Sequence, residues 1–129
     1  MILNDFNRKT GILYTRYEGI IRLDDMLTDI RQVSNDTHLP SRLKIITDTR
    51  DATYEIHYTD IPLLVDEVKK HIKKFDFVKE ALLQNNSFIT ALSILYQLEL
   101  STIGNFSYKI FSTLEACQDW LNTTTWYEE

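Results

Sequence analysis

The residues best placed to do chemistry are Asp48, Arg50 and Asp51, which follow the apolar-rich run Leu43-Lys44-Ile45-Ile46-Thr47. The run reads as a buried strand ending in a polar loop, and open α/β sheets usually build their sites at such strand ends. Charged groups there can converge on a ligand or a partner, while Asp48 can equally satisfy loop amides. Tyr54, Glu55, His57 and Tyr58 follow, lining the same edge or forming a packed turn or short strand. Thr59 adds a hydroxyl at a predicted helix start, where a phosphate would meet the positive end of the helix dipole and where an unmodified Thr serves as an ordinary cap. His38, His57 and His71 are too far apart in sequence to show metal-ligand spacing. Cys117 falls at core-facing spacing with Leu114 and Leu121 and reads as a small buried hydrophobe. No Ser/His/Asp or Cys/His arrangement has defensible spacing, and Gly11, Gly19 and Gly104 form neither a phosphate cradle nor a dinucleotide fingerprint. The expectation is no catalytic residue, no metal site and no cofactor.

Composition narrows the classes further. A chain of 129 residues with 43% hydrophobic and 26% charged residues matches one soluble globular domain with a real core. A net charge of -5 opposes attraction to phosphate backbones, so nucleic acid is not an expected partner. One cysteine cannot form an internal disulfide, which fits a reducing cytoplasm. The first ten residues carry Asn4, Asp5, Asn7, Arg8 and Lys9 and lack a signal-peptide centre, and no uncharged run reaches membrane-spanning length.

The elements that must hold these residues follow from periodicity. Ile2 to Phe6 and Gly11 to Tyr17 suggest an opening antiparallel pair, with Gly19 breaking the second strand. Leu23, Met26, Leu27, Ile30 and Val33 have helical spacing behind Asp24 and Asp25, which predicts a helix to about Asn35. After the His38 to Ser41 loop and the Leu43 to Thr47 strand, Thr59 or Asp60 caps a second helix bearing Ile61, Leu64, Val65, Val68 and Ile72. Lys69 to Lys74 form its solvated basic end. Val78 to Gln84 reads as a strand, although Lys79-Glu80-Ala81 also suits a helix. Asn85 to Ser87 opens a third helix with Phe88, Ala91, Leu92, Leu95, Tyr96 and Leu98 on its apolar face, closed by Gly104-Asn105. A strand from Ser107 to Phe111 and a helix from Leu114 to Leu121 complete the domain, with Ser112 and Glu115 at capping-box spacing. Residues 1–121 form one domain and 122–129 a tail. The order ββαβαβαβα predicts an α/β fold with a mixed, mostly parallel sheet and about four helices.

Three short signatures give this order a family likeness. Tyr17-Glu18-Gly19 before an acidic helix, Ile45-Ile46-Thr47-Asp48 with Arg50-Asp51-Ala52, and Phe111-Ser112-Thr113-Leu114-Glu115-Ala116 with Trp120-Leu121 resemble the SpoIIAA-like proteins, near the STAS-type anti-sigma-factor antagonists. That resemblance implies a cytoplasmic, non-enzymatic regulatory module that binds a protein partner. It also implies a phosphorylation switch near His57-Tyr58-Thr59-Asp60, with Thr59 the candidate phosphoacceptor, although the Asp-Ser-Ser-Gly pattern of the antagonists is absent. The expected partner-binding residues are Asp48, Arg50, Asp51, Tyr54, His57 and Tyr58, and a homodimer stays open. The similarity of SpoIIAA-like folds to SEC14-type domains implies an alternative, a pocket for a small apolar or lipid-like ligand. Leu- and Phe-rich helix faces suit either outcome.

Overall fold

The computed structural model describes residues 1–123 and 126, with Phe88 through its backbone alone. Its elements are β1 (Ile2–Asn7), β2 (Ile12–Arg22), α1 (Leu23–Asn35), β3 (Arg42–Glu55), α2 (Ile61–His71), β4 (Phe77–Leu83), α3 (Ser87–Leu100), β5 (Phe106–Phe111) and α4 (Leu114–Leu121). A 3-10 turn over Tyr58–Asp60 precedes α2, and another over Ile72–Lys74 follows it. The five strands lie side by side in chain order, β1 antiparallel to β2 and the others parallel to one another.

Local chemistry fixes the element ends. The β1–β2 turn is closed by Gly11 N–H donating to the Asn7 carbonyl at 2.8 Å, with Gly11 at φ +72°, a conformation that favours glycine. Asp25 accepts from the Arg22 amide at 2.8 Å and so closes the first turn of α1. At α4 the helix begins where the sequence predicts. The cap is Thr113, whose hydroxyl accepts from Ala116 N–H at 3.2 Å, in place of Ser112.

Strand order determines the layering. When successive parallel neighbours are joined by crossovers of one hand, every connecting helix falls on the same face. Accordingly α1, α2 and α3 pack with Leu13, Leu43, Val78, Leu82 and Tyr108 on one side, and α4 packs alone on the other against Ile12, Ile46, Ala81 and Leu83. The α4 face is tightly filled, since Ala81, Leu83, Cys117 and Leu121 have no accessible surface. The central strands have no solvent face, so any charge within them must find a partner inside.

Two strands run further than expected. The predicted loop after Thr47 is instead the continuation of β3, and Gly19 at φ +71° lies within β2 without breaking it. The cause is a bulge: Arg16 pairs with Asp48 but Glu18 pairs with Asp51, so β3 carries one extra residue there. Pairing with β2 resumes beyond it through Arg22 and Glu55, which also form an ion pair at 3.1 Å. The bulge shifts the alternation of β3, so Tyr54 turns to the three-helix face instead of the α4 face.

The third helix also differs from its predicted packing. It ends at Leu100, before the Gly104-Asn105 pair, and Asn105 instead donates its side-chain amide to the carbonyls of Ile72 and Phe75. Ile89, Leu92 and Leu100 are buried, whereas Ile94, Leu95 and Leu98 are exposed. The sequence of α3 is apolar on nearly all sides, so periodicity alone could not choose its inward face. Of the predicted tail, Trp126 packs edge-on to Phe77 with ring centroids 6.0 Å apart, and residues 124, 125 and 127–129 lie outside the described residues.

Candidate functional site

A cavity of about 120 Å³ lies between the sheet and the three-helix layer. Its helical wall is apolar: Met26, Ile30 and Val33 from α1, Leu64 and Val68 from α2, Leu92 from α3. Its floor is mixed, because the inward positions of the strands carry Thr15, Tyr17, Thr47, Tyr54, Glu80 and Tyr108 beside Ile45, Leu82 and Phe106. Asp29 of α1, His71 of α2, and Ser93 and Tyr96 of α3 add polar groups from the helices. An apolar enclosure with a few convergent polar groups is the usual construction of a small-ligand site.

Glu80 is the chemically distinctive group. It sits mid-strand in β4, an interior strand of the sheet between β3 and β5, and its Oε2 accepts from the Thr47 hydroxyl at 2.6 Å. Deep burial pushes its carboxyl up to about 7, with the Thr47 hydroxyl opposing the shift and the charge of Asp29 adding to it. The accessible surface that Glu80 retains is therefore cavity wall. Asp29 is likewise raised by burial, against the pull of a 2.7 Å hydrogen bond from the Asn4 amide. Asn4 in turn accepts from the Thr15 hydroxyl at 2.6 Å, so β1, β2 and α1 are linked beside the cavity. Burial also raises Tyr17, Tyr54, Tyr96 and Tyr108, which stay neutral. Tyr96 meets Tyr108 edge to face with centroids 5.4 Å apart, and Tyr17 lies 6.2 Å from Tyr54.

The residues singled out from sequence are distributed over both faces and along the length of β3. Asp48 and Arg50 do meet. The Asp48 carboxylate accepts from Arg50 Nε at 3.0 Å, Arg50 Nη2 at 2.9 Å, the Arg50 amide at 3.1 Å and the Tyr14 hydroxyl at 2.5 Å. Burial works to raise Asp48, but these donors outweigh it and hold the carboxyl below its ordinary value. The cluster fastens the bulge on the α4 side of the sheet, with Arg50 still 42% exposed. Asp51 is exposed at the far side of the bulge, and Tyr54 is inside the cavity. His57, Tyr58 and Thr59 are exposed at the 3-10 turn, with the Thr59 hydroxyl 2.9 Å from His57 Nδ1. Since each residue of a strand advances about 3.3 Å, the seven steps from Asp48 to Glu55 separate these groups by roughly 23 Å, and they do not form one compact site. Thr59 lies within the turn, and Asp60 precedes α2 while its carboxylate accepts from the His57 amide at 3.0 Å.

Sequence reasoning missed Asp29, Glu80 and the tyrosines other than Tyr54. A usable signal was present, because Lys79-Glu80 lies in the middle of an apolar strand flanked by two predicted helices. Both are internal: Lys79, fully buried on the α4 side, donates to the Trp120 carbonyl at 3.2 Å and the Thr123 hydroxyl at 2.8 Å, while Glu80 faces the cavity. Cys117 is buried as expected, and burial pushes its thiol up to about 11, with Asp48 adding to the shift.

No helix among the described residues is long and apolar enough to cross a membrane. No protein-family model and no curated protein matches the chain. Among solved structures it is similar to an uncharacterised protein of the DUF3478 family, from Shewanella loihica PV-4, that has a SpoIIAA-like fold. The match covers 94% of this chain and 92% of that one, at a TM-score of 0.58 and 15% identity. The α/β architecture expected from the sequence is thus observed, and the chain has the SpoIIAA-like fold.

Proposed function

We propose that the protein is a non-catalytic SpoIIAA-like module whose cavity holds a small, mostly apolar ligand. The observation that carries this reading is the cavity itself, about 120 Å³ of space walled by Met26, Ile30, Leu64, Val68 and Leu92 over a floor containing Glu80. Close packing is the rule in protein interiors, and the α4 face of this same sheet obeys it. An engineered apolar cavity of about 150 Å³ binds benzene, which sets the scale of the ligand body. The test is an NMR titration with pentan-1-ol. Saturable shifts are expected at the methyl groups of Ile30, Leu64 and Leu92, with Leu83 and Leu121 on the opposite face unaffected. Shifts that are absent, or that spread equally over both faces, would reject the reading.

A regulatory, protein-binding role is a second reading, favoured by one observation. Beyond Tyr17 on β2 and Asp48 on β3, the two strands pair with each other while β1 and β4 have no further residues in register with them. This two-stranded extension carries exposed Arg50, Asp51 and Glu55 and leads to exposed Tyr58 and Thr59. A partner captured by wild type and lost with Arg50→Ala, Tyr58→Ala or Thr59→Glu, each verified as folded, supports it; equal capture by all four removes this surface from consideration.

A further inference from the structure

The cavity is chemically one-sided. Among the described residues its lining includes two carboxylates, Asp29 and Glu80, and four tyrosines, but neither lysine nor arginine. Its one histidine, His71, has Nε2 2.7 Å from Glu67 Oε2 and Nδ1 3.2 Å from the Ser34 hydroxyl, so both ring nitrogens are engaged away from the acids. Glu80 Oε2 is held by Thr47, whereas Oε1 has no hydrogen-bond partner among the described residues. An acid placed among apolar and aromatic side chains is unfavourable when ionised unless a positive group reaches it.

Building on the cavity reading above, we propose that the ligand carries a protonated amine on a short apolar body, with the ammonium bound at Glu80 Oε1 between the tyrosine rings and the body against the helical wall. Three effects combine in favour of a cation. The ammonium supplies the hydrogen-bond donor that Oε1 lacks, and a charge-assisted bond in a low-dielectric site is stronger than a neutral one. The electron-rich faces of Tyr54, Tyr96 and Tyr108, all close enough to Glu80 to feel its charge, add cation–π attraction. Asp29 adds a second negative charge nearby, and it acts on Glu80 directly. The cavity volume fits a body of about four to six carbons by comparison with cavities that hold benzene. The titratable groups that line the cavity with Glu80 are Asp29 from α1, His71 from α2, Tyr96 from α3 and three tyrosines of the sheet. Burial pushes the Glu80 carboxyl up to about 7, while an alkyl amine keeps its proton until about 10, so both partners are mostly charged at pH 8.

The experiment is calorimetric titration with pentylamine, pentan-1-ol and pentanoate at pH 6 and pH 8, on wild type and on Glu80→Gln. At pH 8 pentylamine is expected to bind wild type at least about tenfold more tightly than pentan-1-ol, with pentanoate weakest. That advantage shrinks at pH 6. Glu80→Gln is expected to bring the amine down to the affinity that the alcohol shows for the same variant. Equal affinities for amine and alcohol, tighter binding of pentanoate, or an amine preference that survives Glu80→Gln would overturn the ammonium assignment while leaving the cavity reading in place. The wild-type comparison decides this even if the variant is poorly folded. No binding of any of the three would overturn both.

Discussion

Replacing Glu80 by glutamine should stabilise the protein, and only at neutral to alkaline pH. In the unfolded chain the carboxyl ionises near 4.5, whereas in the folded protein it holds its proton to about 7. Below 4.5 both states are protonated, and the substitution is close to neutral. Between 4.5 and 7 the unfolded state releases its proton first, so wild-type stability falls as pH rises. Above 7 the penalty is complete, and the difference between the two values corresponds to about 3 kcal/mol. Glutamine keeps the shape and can accept from the Thr47 hydroxyl through its amide oxygen, so the bond to Oε2 has a replacement. Asp29, raised by burial, acts in the same direction in wild type, and Asp48, held low, acts in the opposite one. The quantity to measure is therefore the difference between variant and wild type, from urea unfolding at pH 4.5 and pH 8. A gain confined to pH 8 is expected. A constant difference at both pH values, or a loss at pH 8, would show that Glu80 is not an ionisable group held in a low-dielectric cavity.

Other consequences follow from the two faces of the sheet. Leu64→Ala, at a position 2% exposed on the cavity wall, should destabilise by about 2–5 kcal/mol in urea unfolding. Asp48→Asn should lose about 1–3 kcal/mol at pH 7 by weakening the contacts with Arg50 and Tyr14. Because the folded carboxyl is held low, that loss should disappear as pH falls through its folded pKa, and equilibrium unfolding at pH 7 and pH 2 checks it. Cys117, buried and with a raised pKa, should resist alkylation by iodoacetamide at pH 8 in the native protein and react promptly in urea.

Much of the scaffold was legible because its signals are local. Leu23 to Asn35 has helical spacing behind two acids, and Ile61, Leu64, Val65, Val68 and Ile72 form one stripe whose residues are all buried. The site was less legible because it is built from single positions on different strands. Thr15, Thr47, Glu80 and Tyr108 share a face only after the register is set, and Tyr54 joins them only through the bulge after Asp48. Asp48 and Arg50 stood out as charges beyond an apolar run, yet much of their chemistry is directed at each other and at Tyr14. In α3, Leu95 and Leu98 carry the same sequence signal as Leu92 but face outward. Glu80 was hidden because a Lys-Glu pair reads as solvent-exposed until helices are known to cover both faces of β4.

The most direct test is a crystal structure of the protein soaked in pentan-1-ol at neutral pH. One ordered molecule is expected between Glu80, Tyr96 and Leu64, its hydroxyl toward the carboxyl and its chain along Val68 and Leu92. Side chains closed over that space, with pentan-1-ol found only on the protein surface, would contradict this expectation.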